Sequence, residues 1–121
     1  MSKLILVVED QEDNRRIFRD LLTSVGYEVI EAINGLEGVS AAETQNPDLI
    51  LMDIQLPGID GYEATRRIKA NPNLQKIPII VVTSYALSGD DVKAFEAGCD
   101  AYVAKPFSPR ELLSKVRKYL P

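Results

Sequence analysis

The chain has 121 residues, 45% of them apolar, which suits one domain built on one hydrophobic core. Eighteen acidic against fourteen basic residues, a net charge of −4, argue against nonspecific nucleic-acid or anionic-membrane binding through bulk charge, so the expected partners are proteins. Histidine is absent and Cys99 is alone, which excludes a Ser-His-Asp triad, imidazole metal ligation, an intrachain disulfide and a multi-cysteine zinc site, and leaves oxygen as the ligand for any metal.

The first apolar run is too short for a signal-peptide core or a membrane span. Cys99 reads as a small buried residue in a reducing compartment, and a cytoplasmic protein without membrane insertion is expected. Short apolar runs then alternate with amphipathic stretches, the pattern of five βα units, a parallel sheet covered on both faces. The first strand, Leu4 to Val8, precedes a helix with Ile17, Phe18, Leu21, Leu22 and Val25 on its expected inner face, ended by Gly26. Tyr27 to Ile33 carries Glu28 and Glu31 and reads as an exposed edge strand. The second helix should face the core with Leu36, Val39 and Ala42. After the Asn46-Pro47-Asp48 turn, Leu49 to Met52 lacks any polar residue and belongs at the centre of the sheet. Asp60 is placed to cap a third helix bearing Tyr62, Thr65 and Ile68. The fourth strand starts at Ile77 or Ile79 and runs to Val82, and Ser88 is the expected cap of the fourth helix, with Asp90 and Asp91 in its first turn. Ala101 to Ala104 is the fifth strand. Ser108, Pro109 and Glu111 start the last helix, which turns Leu112, Leu113, Val116 and Leu120 inward. No repeat or interdomain linker is visible, and residues 1–121 read as one domain.

Four strands stop at polar residues of different kinds: Glu9 and Asp10, Asp53, Thr83, and Lys105. Ligands of parallel α/β sheets bind beyond the carboxyl ends of the strands, so these stops would bring three carboxylates, a hydroxyl and an ammonium together. Carboxylates a few ångströms apart repel by about 1 to 4 kcal/mol per pair unless a proton or cation intervenes. Mg²⁺ prefers oxygen ligands and keeps waters and phosphate oxygens in its shell, which suits Glu9, Asp10 and Asp53, with a backbone carbonyl near Gln55 completing it. Asp53 is the candidate nucleophile, since a carboxylate can accept a phosphoryl group as an aspartyl-phosphate. Thr83 can donate to one phosphoryl oxygen and Lys105 can pair with another. Taken alone, each residue has an ordinary reading: a loop acid, a strand end, a β-branched strand residue, a surface lysine.

The segments VVED, LMDIQLPGIDG, VVTS and AYVAKPF resemble the signature segments of the receiver domain of two-component response regulators, over nearly the whole chain. The resemblance implies a flavodoxin-like (βα)5 fold, a doubly wound five-stranded parallel sheet in the order 2-1-3-4-5. It further implies Mg²⁺ at Glu9, Asp10 and Asp53, phosphorylation of Asp53, phosphoryl contacts from Thr83 and Lys105, and a cis peptide before Pro106. Tyr102 matches the switch aromatic that turns inward as Thr83 moves toward the phosphoryl group. Gln55 and Tyr85 border the path of attacking water, where Tyr85 is expected to shield the acyl phosphate. The implied role is that of a phosphoacceptor in a two-component or phosphorelay system. It would catalyse only its own phosphorylation and dephosphorylation, with a histidine kinase or histidine phosphotransferase as donor and a downstream protein as target. Arg15, Arg16 and Phe18 are candidates for the donor surface, and Lys93, Phe95 and Arg110 for the output surface. The sequence stops at Pro121, directly after the last helix, and stand-alone receivers of the DivK type resemble it best, although a receiver cut from a hybrid kinase would look much the same. A haloacid-dehalogenase-type phosphatase would need an aspartate where Gln55 stands. A flavodoxin-like cofactor carrier would not put Glu9 and Asp10 where a phosphate binds. A phosphorylation-independent interaction module is the remaining alternative.

Overall fold

Aliphatic runs with no charge to hydrate pair with one another, and crossover helices cover both faces of the sheet they form. The computed structural model describes residues 2–83 and 90–121. Strands β1 (Leu4–Val8), β2 (Glu28–Ala32), β3 (Leu49–Asp53), β4 (Ile79–Thr83) and β5 (Ala101–Ala104) form one parallel sheet in the order β2-β1-β3-β4-β5. Helices α1 (Glu12–Ser24), α2 (Gly35–Gln45), α3 (Gly61–Ala70), α4 (Asp90–Glu96) and α5 (Pro109–Tyr119) alternate with them. Strand side chains alternate between faces. Ile5, Val7, Leu49, Leu51, Ile80 and Val82 pack with Phe18 and Leu22 of α1 and Leu112 and Val116 of α5. Leu6, Val8, Ile50, Met52, Ile79 and Val81 pack with Ala42 of α2, Ala64 and Ile68 of α3 and Ala94 of α4. Each fully buried Leu or Ile in these layers contributes about 1.5–3 kcal/mol. The fold and strand order are those expected, and β2 is an edge strand, with β5 at the opposite edge.

Helix starts follow local chemistry. Asp60 accepts from the Glu63 N–H at 2.9 Å and Ser108 from the Glu111 N–H at 3.0 Å, each satisfying an orphan donor. Asn34 does the same for Glu37 at 2.8 Å, a cap not anticipated. The Lys105-Pro106 peptide is cis and Cys99 is buried, as expected.

Two inner faces differ from expectation. Ile17 is 58% exposed because α1 packs through Phe18 and Leu22, from which Ile17 is turned by about 100° and about 140° of helix rotation. Val25 is partly exposed, lying past the last turn as the C-cap. In α2, Gly35, Gly38 and Ala42 face inward while Leu36 is 56% exposed. Here the backbone lies so near β1 that a Cβ on Gly38 would stand 2.9 Å from a methyl of Val8, so only small residues fit that face. Tyr85 and Ser88 lie outside the described residues, and so does the side chain of Asp90.

Candidate functional site

The strand order reverses direction between β1 and β3, which opens a crevice beyond their carboxyl ends. Glu9 leaves β1 with its N–H bonded to the Ala32 carbonyl of β2 at 3.0 Å, and it is buried. Its Oε2 accepts from the Gln11 N–H at 3.0 Å, and its Oε1 accepts from Asn14 Nδ2 at 3.2 Å and Lys105 Nζ at 3.0 Å. Asp10, half-buried, accepts from Gln11 Nε2 at 3.3 Å. Asp53 ends β3, buried, with Oδ1 bonded to the Ile54 N–H at 2.8 Å and Oδ2 3.7 Å from Lys105 Nζ. One carboxylate oxygen from each of Glu9, Asp10 and Asp53 lies within 4.8 Å of the others.

Lys105 follows β5, and its N–H donates to the Thr83 carbonyl at 2.7 Å, which joins the ends of β4 and β5. Thr83 is buried at the end of β4. Glu9, Asp10, Asp53 and Lys105 are therefore brought together directly, with Thr83 on the strand end tied to Lys105. Gln55 is exposed in the loop after β3. Tyr102 is half-buried on β5, in register with Val81 of β4. Gly61 fits tightly beneath Asp53: a Cβ there would collide with the Asp53 carbonyl and the Cα of Ile54.

Burial pushes the Asp53 carboxyl up to about 7; the Lys105 ammonium opposes this and the charge of Glu9 adds to it. Burial also raises Glu9, but the Gln11 N–H and Lys105 outweigh it, and Glu9 falls below its ordinary value. Asp10 is raised, by burial first and by Glu9 second. Three oxygen donors in a half-buried cluster, one of them made hard to ionise by that burial, are a donor set that fits a hard divalent cation. They do not fit a soft metal, since among the described residues no sulfur or imidazole joins them.

Arg15 was expected at a partner surface, yet its side chain is 14% exposed and bonded to the backbone of Glu9 and Asp10. Phe18, expected at the same surface, is buried and stacks on Phe107 with ring centroids 5.6 Å apart. Arg16, Lys93, Phe95 and Arg110 are exposed. The supporting roles of Asn14, Arg15 and Glu31 escaped the sequence reading, where their only signal was the position of Asn14 and Arg15 in the first turn after the acidic loop. Ile17, Phe18 and Phe107, with Asn14, Lys105 and Pro106, line an apolar hollow of about 300 Å³ beside Lys105. Among the described residues no helix is long and apolar enough to cross a membrane.

Residues 5–117 match the family model of the response regulator receiver domain. The polar-differentiation response regulator DivK of Brucella anthropi is 44% identical over 120 residues, which cover 99% of this chain and 98% of that protein. The crystal structure of a response regulator from Chloroflexus aurantiacus aligns with a TM-score of 0.95 at 33% identity, over 99% of this chain and 98% of the other. The receiver domain of the sensor histidine kinase PA1611 from Pseudomonas aeruginosa aligns with a TM-score of 0.92 at 41% identity, over 99% and 98% of the two chains. That structure has a magnesium ion coordinated in its active site cleft.

Proposed function

The chain belongs to the response regulator receiver domain family, whose members are phosphoacceptor modules of two-component signalling, and on that premise we propose that Asp53 is its phosphoacceptor. The observation that carries this reading is the buried Asp53 carboxylate at the end of β3, with Glu9 and Asp10 on one side and Lys105 Nζ at 3.7 Å on the other. Glu9, Asp10 and Asp53, with the backbone carbonyl of Gln55, would hold Mg²⁺. When bound, that ion offsets the negative charge of the carboxylates and of the phosphoryl oxygens.

Asp53 Oδ2 attacks the phosphorus of a phosphohistidine; the new P–O bond forms as the P–N bond breaks, and the imidazole leaves with the electron pair. These 121 residues contain no histidine, so the donor comes from outside them, from a histidine kinase or histidine phosphotransferase. Lys105, already within reach of Asp53, pairs with one phosphoryl oxygen, and the Thr83 hydroxyl donates to another. Because Glu9 also binds Lys105, at 3.0 Å, its carboxylate helps aim the ammonium at the crevice. The motion of Thr83 toward the phosphoryl group and the inward turn of Tyr102 alter the surface read by a downstream protein. Activity on other substrates is not part of this reading: the domain catalyses its own phosphorylation and hydrolysis.

The donor docks over the hollow lined by Ile17 and Phe107, an apolar patch next to Lys105. This replaces Phe18 with Ile17 as the docking contact on α1. The intact acidic set and Lys105 give no support to a phosphorylation-independent module. Reductive trapping with borohydride tests the assignment: an aspartyl-phosphate at residue 53 is converted to homoserine there, and conversion of any other acidic residue contradicts it.

A further inference from the structure

The backbone of the acidic loop has its own clamp. Arg15, in the first turn of α1, donates from Nη1 to the carbonyl of Glu9 at 3.0 Å and to that of Asp10 at 3.1 Å. Its Nε faces Glu31 Oε1 on edge strand β2 at 3.2 Å, and Glu31 Oε2 takes Arg19 Nη1 at 2.8 Å. The next residue of β2, Ala32, accepts the Glu9 N–H. Peptide units are rigid, so fixing two successive carbonyls fixes the backbone torsions between them and with these the direction in which Asp10 leaves the chain. The Glu9 carboxylate is tied at both oxygens, whereas Asp10 has the longer 3.3 Å bond from Gln11, so its pose depends most on the backbone.

We propose that Arg15 is a positioning residue for divalent-cation binding, holding the Glu9–Asp10 backbone in place with Glu31 as its anchor. The inference rests on the reading of Glu9, Asp10 and Asp53 as the Mg²⁺ site. Supporting groups of this kind change metal affinity by about 10- to 100-fold when removed. Charge alone predicts the opposite sign: an arginine beside an acidic cluster repels a cation, so its removal should tighten binding. Geometry predicts that binding weakens.

The test is isothermal titration of the whole chain with MgCl₂, with circular dichroism to verify folding. Arg15→Lys keeps the charge but loses the planar fork that serves two carbonyls and Glu31 at once. Arg15→Gln removes the charge as well. Both are expected to raise the Kd for Mg²⁺ about tenfold, and either one decides if the other fails to fold. Lys69→Ala is the stability control. Lys69 bonds the carbonyls of Gln75 and Ile77 and the carboxylate of Asp100, on other elements, so its loss destabilises the fold and leaves the Kd within about twofold. A Kd that is unchanged or lower in a folded Arg15 variant overturns the inference while the reading of the acidic site stands. A wild-type chain that takes up no Mg²⁺ overturns both.

Discussion

Asp53 ends β3 where burial resists its ionisation and Lys105 assists it, and burial prevails, with its carboxyl near 7. The sign of the resulting stability change follows from linkage. The folded state binds this proton more tightly than the unfolded chain, whose aspartate titrates near 3.8, so stability is lost as pH rises from about 4 through about 7. Asp53→Asn removes the titration. In chelator, the variant and the wild type should have similar stability at pH 4, and the variant should be the more stable at pH 8, by up to about 4 kcal/mol. Urea unfolding across that range checks it; a difference independent of pH contradicts the burial argument. The four groups nearest the chemistry, Glu9, Asp10, Asp53 and Lys105, were legible because each interrupts or follows an apolar run at a strand end. Arg15 was not, because its ion pair joins a helix to the neighbouring strand, and its place in the first turn of α1 does not by itself reveal that partner.

At the scale of elements, β3 and α3 meet at Gly61, whose N–H donates to the Ile54 carbonyl at 2.8 Å. The atoms a Cβ would strike belong to the backbone of Asp53 and Ile54 and cannot rotate away. Gly61→Ala should therefore cost about 1–3 kcal/mol and slow phosphorylation of Asp53 by shifting its backbone. A loss below about 0.5 kcal/mol in urea unfolding would show that the junction is looser than described. The element sequence was readable because short continuous apolar runs and amphipathic helical stretches alternate cleanly, and because Asp60 and Ser108 punctuate helix starts. What failed was the inner face of α2. Hydropathy favours Leu36, but α2 lies so close to Val8 of β1 at Gly38 and to Ile59 at Gly35 that these positions admit no side chain, and those distances are tertiary quantities absent from local pattern.

For the whole molecule, a sheet with its direction reversal between β1 and β3 puts an acidic crevice at one end, with an apolar hollow beside it. The hollow shares Lys105 and Asn14 with the crevice, but Ile17 touches none of the acidic groups and can be changed without altering them, which lets the proposed docking role be tested apart from the chemistry. Ile17→Glu should leave phosphorylation by a small-molecule donor unchanged while slowing transfer from a phosphorylated histidine phosphotransferase at least about tenfold, since a buried charge costs more than 1.4 kcal/mol at an apolar contact. Equal transfer rates would remove the hollow from the docking surface. Asp53 is proposed to accept a phosphoryl group in a cation-dependent reaction. Intact-mass spectrometry after incubation with a small phosphodonor and Mg²⁺ tests it most directly. One phosphoryl adduct is expected on the wild type, and none in Asp53→Asn or in the presence of chelator. An adduct that persists in Asp53→Asn, or no adduct on the wild type, would contradict it.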